Sequence, residues 1–203
     1  MHALIALLLA CRPDPGAPVY PHPPPWNGDT GDGFLEGPDP WVDGVPRLSL
    51  GYFYEGGYSE VLAPENLYIY DNTFAIGTSD LRVEGLRSEV WTHAGKAWWG
   101  GGLHYDAAQD LSAWTTLHLH LMAPASGGLP AVDLALQGGG NEGRLDAADY
   151  GFVADGAWHA LSVPMADFAA PGADLTQVDV PLILVGEVGT AGDLLYIDNL
   201  YLD

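Results

Sequence analysis

Many short segments of strand-forming residues, separated by turn signals, constrain the fold of this chain more than any other feature. Runs such as TTLHLHLM, AVDLALQ, VDVPLILV and LLYIDNLYL are rich in aliphatic, β-branched and aromatic residues. No stretch sustains a helical period with caps, and the best candidates, around residues 146–150 and 165–169, are a turn or two long. From residue 48 to residue 203 the pattern therefore predicts an all-β fold, an antiparallel sandwich or barrel.

Alternation along the strand TTLHLHLM indicates which side of it faces the core. Leu117, Leu119 and Leu121 point one way. His118 and His120 point the other way, together with the flanking Thr and Met side chains. The alternation predicts a strand with one core face and one semi-polar face.

Two later segments add information about burial. VPLILV, residues 180–185, is apolar at every position, which predicts a central strand covered on both faces. In the last strand, LLYIDNLYL, Asp198 lies among apolar neighbours. A carboxylate there is costly to bury unless it is paired, hydrogen-bonded or bound to a metal.

The charge balance excludes one class of partner. The chain has 27 acidic and 6 basic side chains among 203 residues, a formal net charge of −21. Nucleic-acid binding requires clustered lysines and arginines, which six scattered basic residues cannot supply. Solubility accounts for the bulk of this charge. One or two particular aspartates remain candidates for Ca²⁺ ligands, because this hard cation prefers oxygen donors.

The first eleven residues resemble an export signal. Residues 3–10 (ALIALLLA) are uninterrupted apolar sequence, too short for the roughly 20 residues of a membrane span. The run ends in LLAC, which resembles a bacterial lipobox, in which Cys11 is acylated and becomes the mature N-terminus. Cys11 is the only cysteine, so intrachain disulfides are excluded. The alternative is a buried free thiol on an apolar N-terminal strand.

Between the signal and the strands, residues 12–47 have a different composition. They are rich in Pro, Gly and Asp and show no hydrophobic period. Such sequence favours extended, semi-rigid chain, so we expect an acidic spacer. The expected organisation is thus a lipoprotein-type signal at 1–11, a linker at 12–47 and one β-sandwich domain at 48–203.

Several phrases of the domain resemble one known group of proteins. They are DLSAWTTL at 110–117, WHALSVPMADF at 158–168, ADLTQV at 173–178 and LYIDNLYL at 195–202, preceded by LYIYDN at 67–72 and WWGG at 98–101. In this order they resemble jelly-roll carbohydrate-binding modules, the galactose-binding-like domains attached to secreted glycoside hydrolases. The resemblance implies a β-sandwich that binds a polysaccharide or other glycan without catalysis.

The resemblance also implies a structural Ca²⁺ site where the first and last strands meet. Asp198 matches the C-terminal aspartate of such modules, and Asp71 lies in the segment similar to their opening strand. We therefore expect these two residues as metal ligands. The alternative for Asp198 is a carboxylate that accepts hydrogen bonds from nearby backbone N–H groups.

Sugar-binding surfaces combine aromatic platforms with polar side chains. Adjacent strand residues face opposite sides, so one of Trp98 and Trp99 should lie outside the core. If the face that bears His118 and His120 is the open one, Gln137 on a neighbouring strand could join it. The expected carbohydrate-binding residues are Trp91, Trp98, Trp99, Tyr105, His118, His120 and Gln137.

Enzymatic alternatives have less support in the sequence. His118 and His120 have the spacing of a zinc chelate, but no rule places a third ligand beside them. The GxSxG, GxxxxGK and HExxH motifs are absent, and the glycine-rich stretch 138–143 indicates a hairpin loop.

We therefore expect a monomeric, non-catalytic module, exported and held at the bacterial cell envelope only by its lipid anchor. The alternatives are a structural or adhesion module of the same fold without a sugar site, and a glycoside hydrolase with paired acids in a cleft.

Overall fold

The computed structural model describes residues 48–50, 66–83 and 87–203. The predicted signal with Cys11 and the predicted linker at 12–47 lie outside the described residues. Within them, the strands are β1 (Leu48–Ser49), β2 (Leu67–Ile69), β3 (Phe74–Ser79), β4 (Ser88–His93), β5 (Trp99–Leu103), β6 (Thr116–Met122), β7 (Asp133–Gly138), β8 (Asn141–Asp146), β9 (His159–Pro164), β10 (Val178–Gly186) and β11 (Leu194–Leu202).

The strands form two antiparallel sheets that pack face to face. Sheet A has the order β3-β4-β11-β6-β9, and β1 also pairs with β11. Sheet B has the order β2-β5-β10-β7-β8. The pairing within both sheets is antiparallel throughout. The chain therefore has the all-β sandwich that the sequence predicts.

The main core lies between the sheets and follows the alternation of the sequence. Leu117, Leu119 and Leu121 of β6 are fully buried, as predicted. Sheet B contributes Leu134 and Leu136 from β7 to the same cluster, opposite them. The last strand, β11, has the predicted bounds and supplies further apolar side chains to this core.

In residues 48–50, 66–83 and 87–203, helical structure is confined to short turns. A 3-10 turn at Tyr70–Asn72 follows β2, a second one at Ala147–Tyr150 follows β8, and the helix α1 spans Met165–Ala169. The last two match the short helical segments that the sequence predicts. None of the helices in the described part of the chain combines the length and the apolar character that crossing a membrane requires.

The hairpin of β7 and β8 closes with two glycines. Gly139 and Gly140 have φ values of 60° and 77°, which L side chains rarely adopt. Two residues of this kind between antiparallel strands form a tight turn. The glycine-rich stretch 138–143 is therefore a hairpin, as predicted.

Candidate functional site

The outer face of sheet B carries a group of aromatic side chains at one edge. Tyr68 and Trp98 expose 51% and 41% of their surface. The rings of Tyr70 and Trp98 are stacked, with centroids 6.2 Å apart and planes 19° apart. His104 meets Tyr68 and Tyr70 edge to face, at centroid distances of 4.7 and 5.7 Å. We call these four residues the aromatic cluster.

Glycines in β5 allow the aromatic cluster to lie directly on the strand. A Cβ at Gly102 would stand 2.6 Å from the Tyr70 hydroxyl, and one at Gly100 would stand 3.1 Å from Tyr70 Cδ2. Only glycine leaves this space free on the outer face. On the inner face, Gly101 makes room for the Trp91 indole in the same way, since its Cβ would lie 2.8 Å from that ring.

Next to the aromatic cluster, the outer face has an apolar floor. Val180, Ile183 and Val185 of β10 form a buried cluster with Ala135 of β7, separate from the main core. Tyr70 packs against this cluster from the side of β2. The strand β10 is central in sheet B and buried along nearly its whole length, as the apolar sequence predicts.

The opposite edge of the face is polar and charged. In the β7–β8 hairpin, Ala135 pairs with Arg144, and Gln137 pairs with Glu142. Directly opposed residues of an antiparallel pair share a face. Arg144 donates to the Asp133 carboxylate through Nε at 2.8 Å and Nη2 at 2.7 Å. The face thus runs from an aromatic edge over an apolar floor to a polar edge.

Burial favours the uncharged forms of Tyr70 and His104 in the aromatic cluster. Burial, with the charge of Glu142, raises the pKa of Tyr70 to about 12. Burial lowers the pKa of His104, opposed by the charge of Asp179. The Tyr70 hydroxyl and His104 Nε2 are 2.7 Å apart. A neutral imidazole protonated at Nδ1 accepts this hydrogen bond from the phenol.

Of the predicted tryptophans, Trp98 alone lies on this face. The structure separates the Trp98–Trp99 pair, as the alternation predicts. Trp99 is 0% exposed and donates its indole N–H to the Val188 carbonyl at 2.9 Å. Trp91 is 1% exposed and packs against Phe74, with ring centroids 5.1 Å apart. The expectation that Trp91 and Trp99 bind sugar is therefore corrected, because neither ring has a free face.

Tyr105 is also turned inward. Its ring packs against the main core, and its hydroxyl is buried. Burial raises the pKa of the Tyr105 phenol. Because side chains alternate along the chain after β5, its neighbour His104 faces the aromatic cluster instead. The expectation for Tyr105 is corrected in favour of His104.

His118 and His120 lie on the outer face of sheet A. The His118 ring is stacked on Tyr201, with centroids 4.6 Å apart. Its Nδ1 is 2.9 Å from Ser162 Oγ, and its Nε2 is 3.0 Å from an Asp203 carboxylate oxygen. One face of the His118 imidazole is thus covered by Tyr201, and its Nδ1 is within hydrogen-bond distance of Ser162.

Gln137 does not lie beside the two histidines. It is on β7 in sheet B, whereas His118 and His120 are on β6 in sheet A. The outer faces of two packed sheets point in opposite directions. The expectation that Gln137 joins the face of His118 and His120 is corrected, and Gln137 belongs to the polar edge of sheet B.

The two predicted metal ligands have different surroundings. Asp198 is 0% exposed, and its carboxylate accepts hydrogen bonds from the backbone N–H groups of Val83 at 2.6 Å and Asn199 at 2.9 Å. Asp71 is exposed and paired with Lys96 Nζ at 2.8 Å. Among the residues that the structure describes, no three His, Cys, Asp or Glu side chains are grouped to hold a metal ion. The calcium site therefore stays a prediction, and of the two residues Asp71 has its carboxylate paired with a lysine.

The sequence interpretation did not assign Tyr68 and Tyr70 to the site, although a signal for them was present. In LYIY, the apolar residues Leu67 and Ile69 alternate with the two tyrosines, which places the tyrosines on one face. By resemblance the segment is expected to be the opening strand of a carbohydrate-binding module, with Asp71 as a candidate metal ligand. The tyrosines lie over Gly100 and Gly102 of β5, and the sequence does not show that β2 and β5 pair.

Known structures share this fold. No protein-family model and no curated protein match the sequence. The family 30 carbohydrate-binding module of a cellulosomal cellulase of Clostridium thermocellum is similar at a TM-score of 0.55 and 12% identity, covering 78% of this chain and 98% of that module. A family 11 module from Clostridium thermocellum, in complex with a β-1,3-1,4-mixed-linked tetrasaccharide, gives 0.51 and 12%, covering 71% and 92%. An exo-β-agarase gives 0.53 and 11%, covering 72% of this chain and 24% of that one.

At sequence identities of 11–12%, these similarities establish the fold alone. The chain has the β-sandwich fold of carbohydrate-binding modules, so the resemblance stated from the sequence is confirmed at that level.

Proposed function

We propose that this chain is a non-catalytic module that binds polysaccharide on the outer face of sheet B. The observation that carries the proposal is the stack of half-buried Tyr70 on exposed Trp98, beside the exposed ring of Tyr68. The sandwich fold shared with carbohydrate-binding modules supports it. Fold alone does not determine function, so the proposal depends on the chemistry of this face.

The arrangement of the face suits a sugar chain. A pyranose has apolar C–H faces and a rim of hydroxyl groups. The exposed rings of Tyr68 and Trp98 offer flat apolar surfaces, and the polar edge with Gln137 and Glu142 offers hydrogen-bond partners. Arg144 is already paired with Asp133, so the cationic group of this edge is neutralised. The face therefore favours hydroxyl groups over carboxylate or sulfate groups.

Export and anchoring form part of the same proposal. Acylation at Cys11 and a spacer at 12–47 would hold the module at the surface of a bacterial cell, with the lipid as its only membrane contact. A structural Ca²⁺ on Asp198 and a monomeric state complete the proposal. Asp71 is not included among the metal ligands, because its carboxylate is paired with Lys96.

The decisive experiment measures binding of the full chain to a panel of neutral and anionic polysaccharides by affinity electrophoresis and calorimetry. Trp98→Ala should weaken binding by roughly 2 kcal/mol, or about thirtyfold in Kd, the loss typical of a central aromatic contact. Trp158→Ala is the matched control, because Trp158 packs edge to face on Tyr196 of sheet A. Retained folding is checked by circular dichroism.

Three outcomes would contradict the proposal. If no glycan binds the folded wild-type chain, the structural or adhesion module becomes the better interpretation. If Trp158→Ala abolishes binding and Trp98→Ala does not, the ligand occupies sheet A. Release of reducing ends from any bound polysaccharide would replace the non-catalytic assignment by a glycoside hydrolase.

A further inference from the structure

The two stacked rings of the aromatic cluster come from different segments of the chain. Tyr70 begins the 3-10 turn Tyr70–Asn72, and Trp98 ends the loop at 94–98 that leads into β5. Neither segment is part of the sheet. Their rings remain parallel only if the turn and the loop are held at a fixed distance from each other.

The turn that carries Tyr70 has an uncommon backbone. Asp71 and Asn72 both adopt left-handed conformations, with φ values of 49° and 51°. Single residues of these types visit this region, but two in succession are uncommon outside tight turns. Thr73 closes the turn, since its backbone N–H and its Oγ1 both donate to the Tyr70 carbonyl, at 3.0 and 2.8 Å.

Lys96 connects this turn to the loop of Trp98. Its Nζ donates to the Asp71 carbonyl oxygen at 2.6 Å and to Asp71 Oδ2 at 2.8 Å. One ammonium group therefore binds both the backbone and the side chain of the turn. A second connection lies below it, where the backbone N–H of Gly100 donates to Oγ1 of buried Thr73 at 3.2 Å. Lys96 is thus the contact that holds the outer, exposed part of the turn.

We infer that Lys96 and Asp71 are positioning residues of the glycan-binding face, which together keep the rings of Tyr70 and Trp98 parallel before a ligand arrives. The inference rests on the proposed function of that face. Neither residue needs to contact the sugar. Their contribution is preorganisation, because a platform that is already ordered loses less conformational entropy on binding.

This role has a consequence that a direct sugar contact would not have. The Lys96–Asp71 pair is exposed, with 42% and 71% of the two side chains accessible, so dissolved salt screens it. Binding of an uncharged polysaccharide has no salt dependence of its own through ion pairing. The positioning role is identified by two results together. The affinity of the wild type for a neutral glycan falls as ionic strength rises, and the affinity of a variant without the Lys96–Asp71 pair does not.

The test compares Lys96→Met with Lys96→Arg in the full chain, by calorimetry with a neutral polysaccharide at low and high NaCl. Lys96→Met should lower the affinity roughly fivefold at low salt, the effect of a charge-assisted contact at an exposed site, and abolish the salt dependence. Lys96→Arg should retain most of the affinity. In a Trp98→Ala background, Lys96→Met should have little further effect. Equal losses in both backgrounds, or wild-type affinity in Lys96→Met, would overturn the inference.

A measurement without ligand separates this inference from the proposed function. In NMR spectra of the free protein, Trp98→Ala identifies the indole N–H signal of Trp98. That signal should shift in Lys96→Met, whereas the signal of buried Trp99 should not. A shift together with no glycan binding by the wild type would sustain the role of the pair and reject the proposed function. An unchanged Trp98 signal would overturn the role of the pair itself.

Discussion

The Tyr70 hydroxyl and His104 Nε2 lie 2.7 Å apart, across the boundary between two segments of the aromatic cluster. The phenol stays protonated far above neutral pH, since the pKa of Tyr70 is about 12. Burial lowers the pKa of the His104 imidazole below its ordinary value of 6.5, so the imidazole is the group of this pair that gains a proton on acidification. Glu142 and Asp179 act on the pair from β8 and β10. Protonation of His104 is therefore the event that disturbs this contact.

We predict that stability falls on acidification because of His104. Its pKa in the folded protein lies below the ordinary value of 6.5. Between these two values the unfolded chain binds a proton that the folded chain does not, so the free energy of unfolding decreases as pH falls below 6.5. His104→Gln should reduce this decrease. Urea unfolding at a series of pH values from 7.5 to 5.5 measures it, and parallel curves for variant and wild type would refute the prediction.

Glu89 should produce the opposite pH dependence. It is buried on β4, its Oε1 has no hydrogen-bond partner, and burial raises its pKa to about 8, opposed by the Trp91 side chain. Between the ordinary value of 4.5 and about 8, the folded chain holds a proton that the unfolded chain has released, so stability falls as pH rises through this window.

Glu89→Gln removes that titration and should raise the free energy of unfolding at pH 8 relative to the wild type, with a smaller gain at pH 5. Thermal unfolding at the two pH values measures the difference. Glu142→Gln is the matched control, because Glu142 is an exposed glutamate on the polar edge. An equal gain at both pH values would show that packing, rather than ionisation, limits stability at this position.

Gly102→Ala should displace the ring of Tyr70. The added Cβ would lie 2.6 Å from the Tyr70 hydroxyl and 2.8 Å from the Leu182 carbonyl oxygen, distances that require a shift. Overpacking of this kind costs about 1–3 kcal/mol of stability, and we expect glycan affinity to fall as well. Gly77→Ala is the control, since its nearest contact would be 3.4 Å from Val90 Cγ1. Unchanged binding in a folded Gly102→Ala protein would show that Tyr70 does not contribute to the site.

The sequence predicts the sandwich and several of its strands because alternation and apolar runs are local signals. The bounds of β11, the core face of β6 and the central place of β10 all follow from such patterns. The pairing of strands is a different matter. β6 and β7 are consecutive, yet the chain between them crosses from one sheet to the other. No local pattern distinguishes such a crossing from a hairpin, so Gln137 was assigned to the wrong face.

The same limit applies to the aromatic residues. Trp91 lies in SEVWTH and Trp98 in GKAWWG, and neither local pattern decides between the core and the surface. Trp91 fills the space above Gly101, a residue of another strand and another sheet. Which tryptophan is buried thus depends on where a glycine is placed by long-range pairing, and local sequence does not contain that information.

The two edges of the face are encoded in separate parts of the chain. The aromatic cluster comes from residues 68–104, and the polar edge comes from the single hairpin of β7 and β8, closed by Gly139 and Gly140. Under the proposed function, substitutions in that hairpin would alter which hydroxyl patterns are recognised without changing the aromatic cluster. Affinity for the sugar and selectivity among sugars could therefore evolve independently. A library of variants restricted to the outward-facing positions of this one hairpin would be sufficient to search for new ligands.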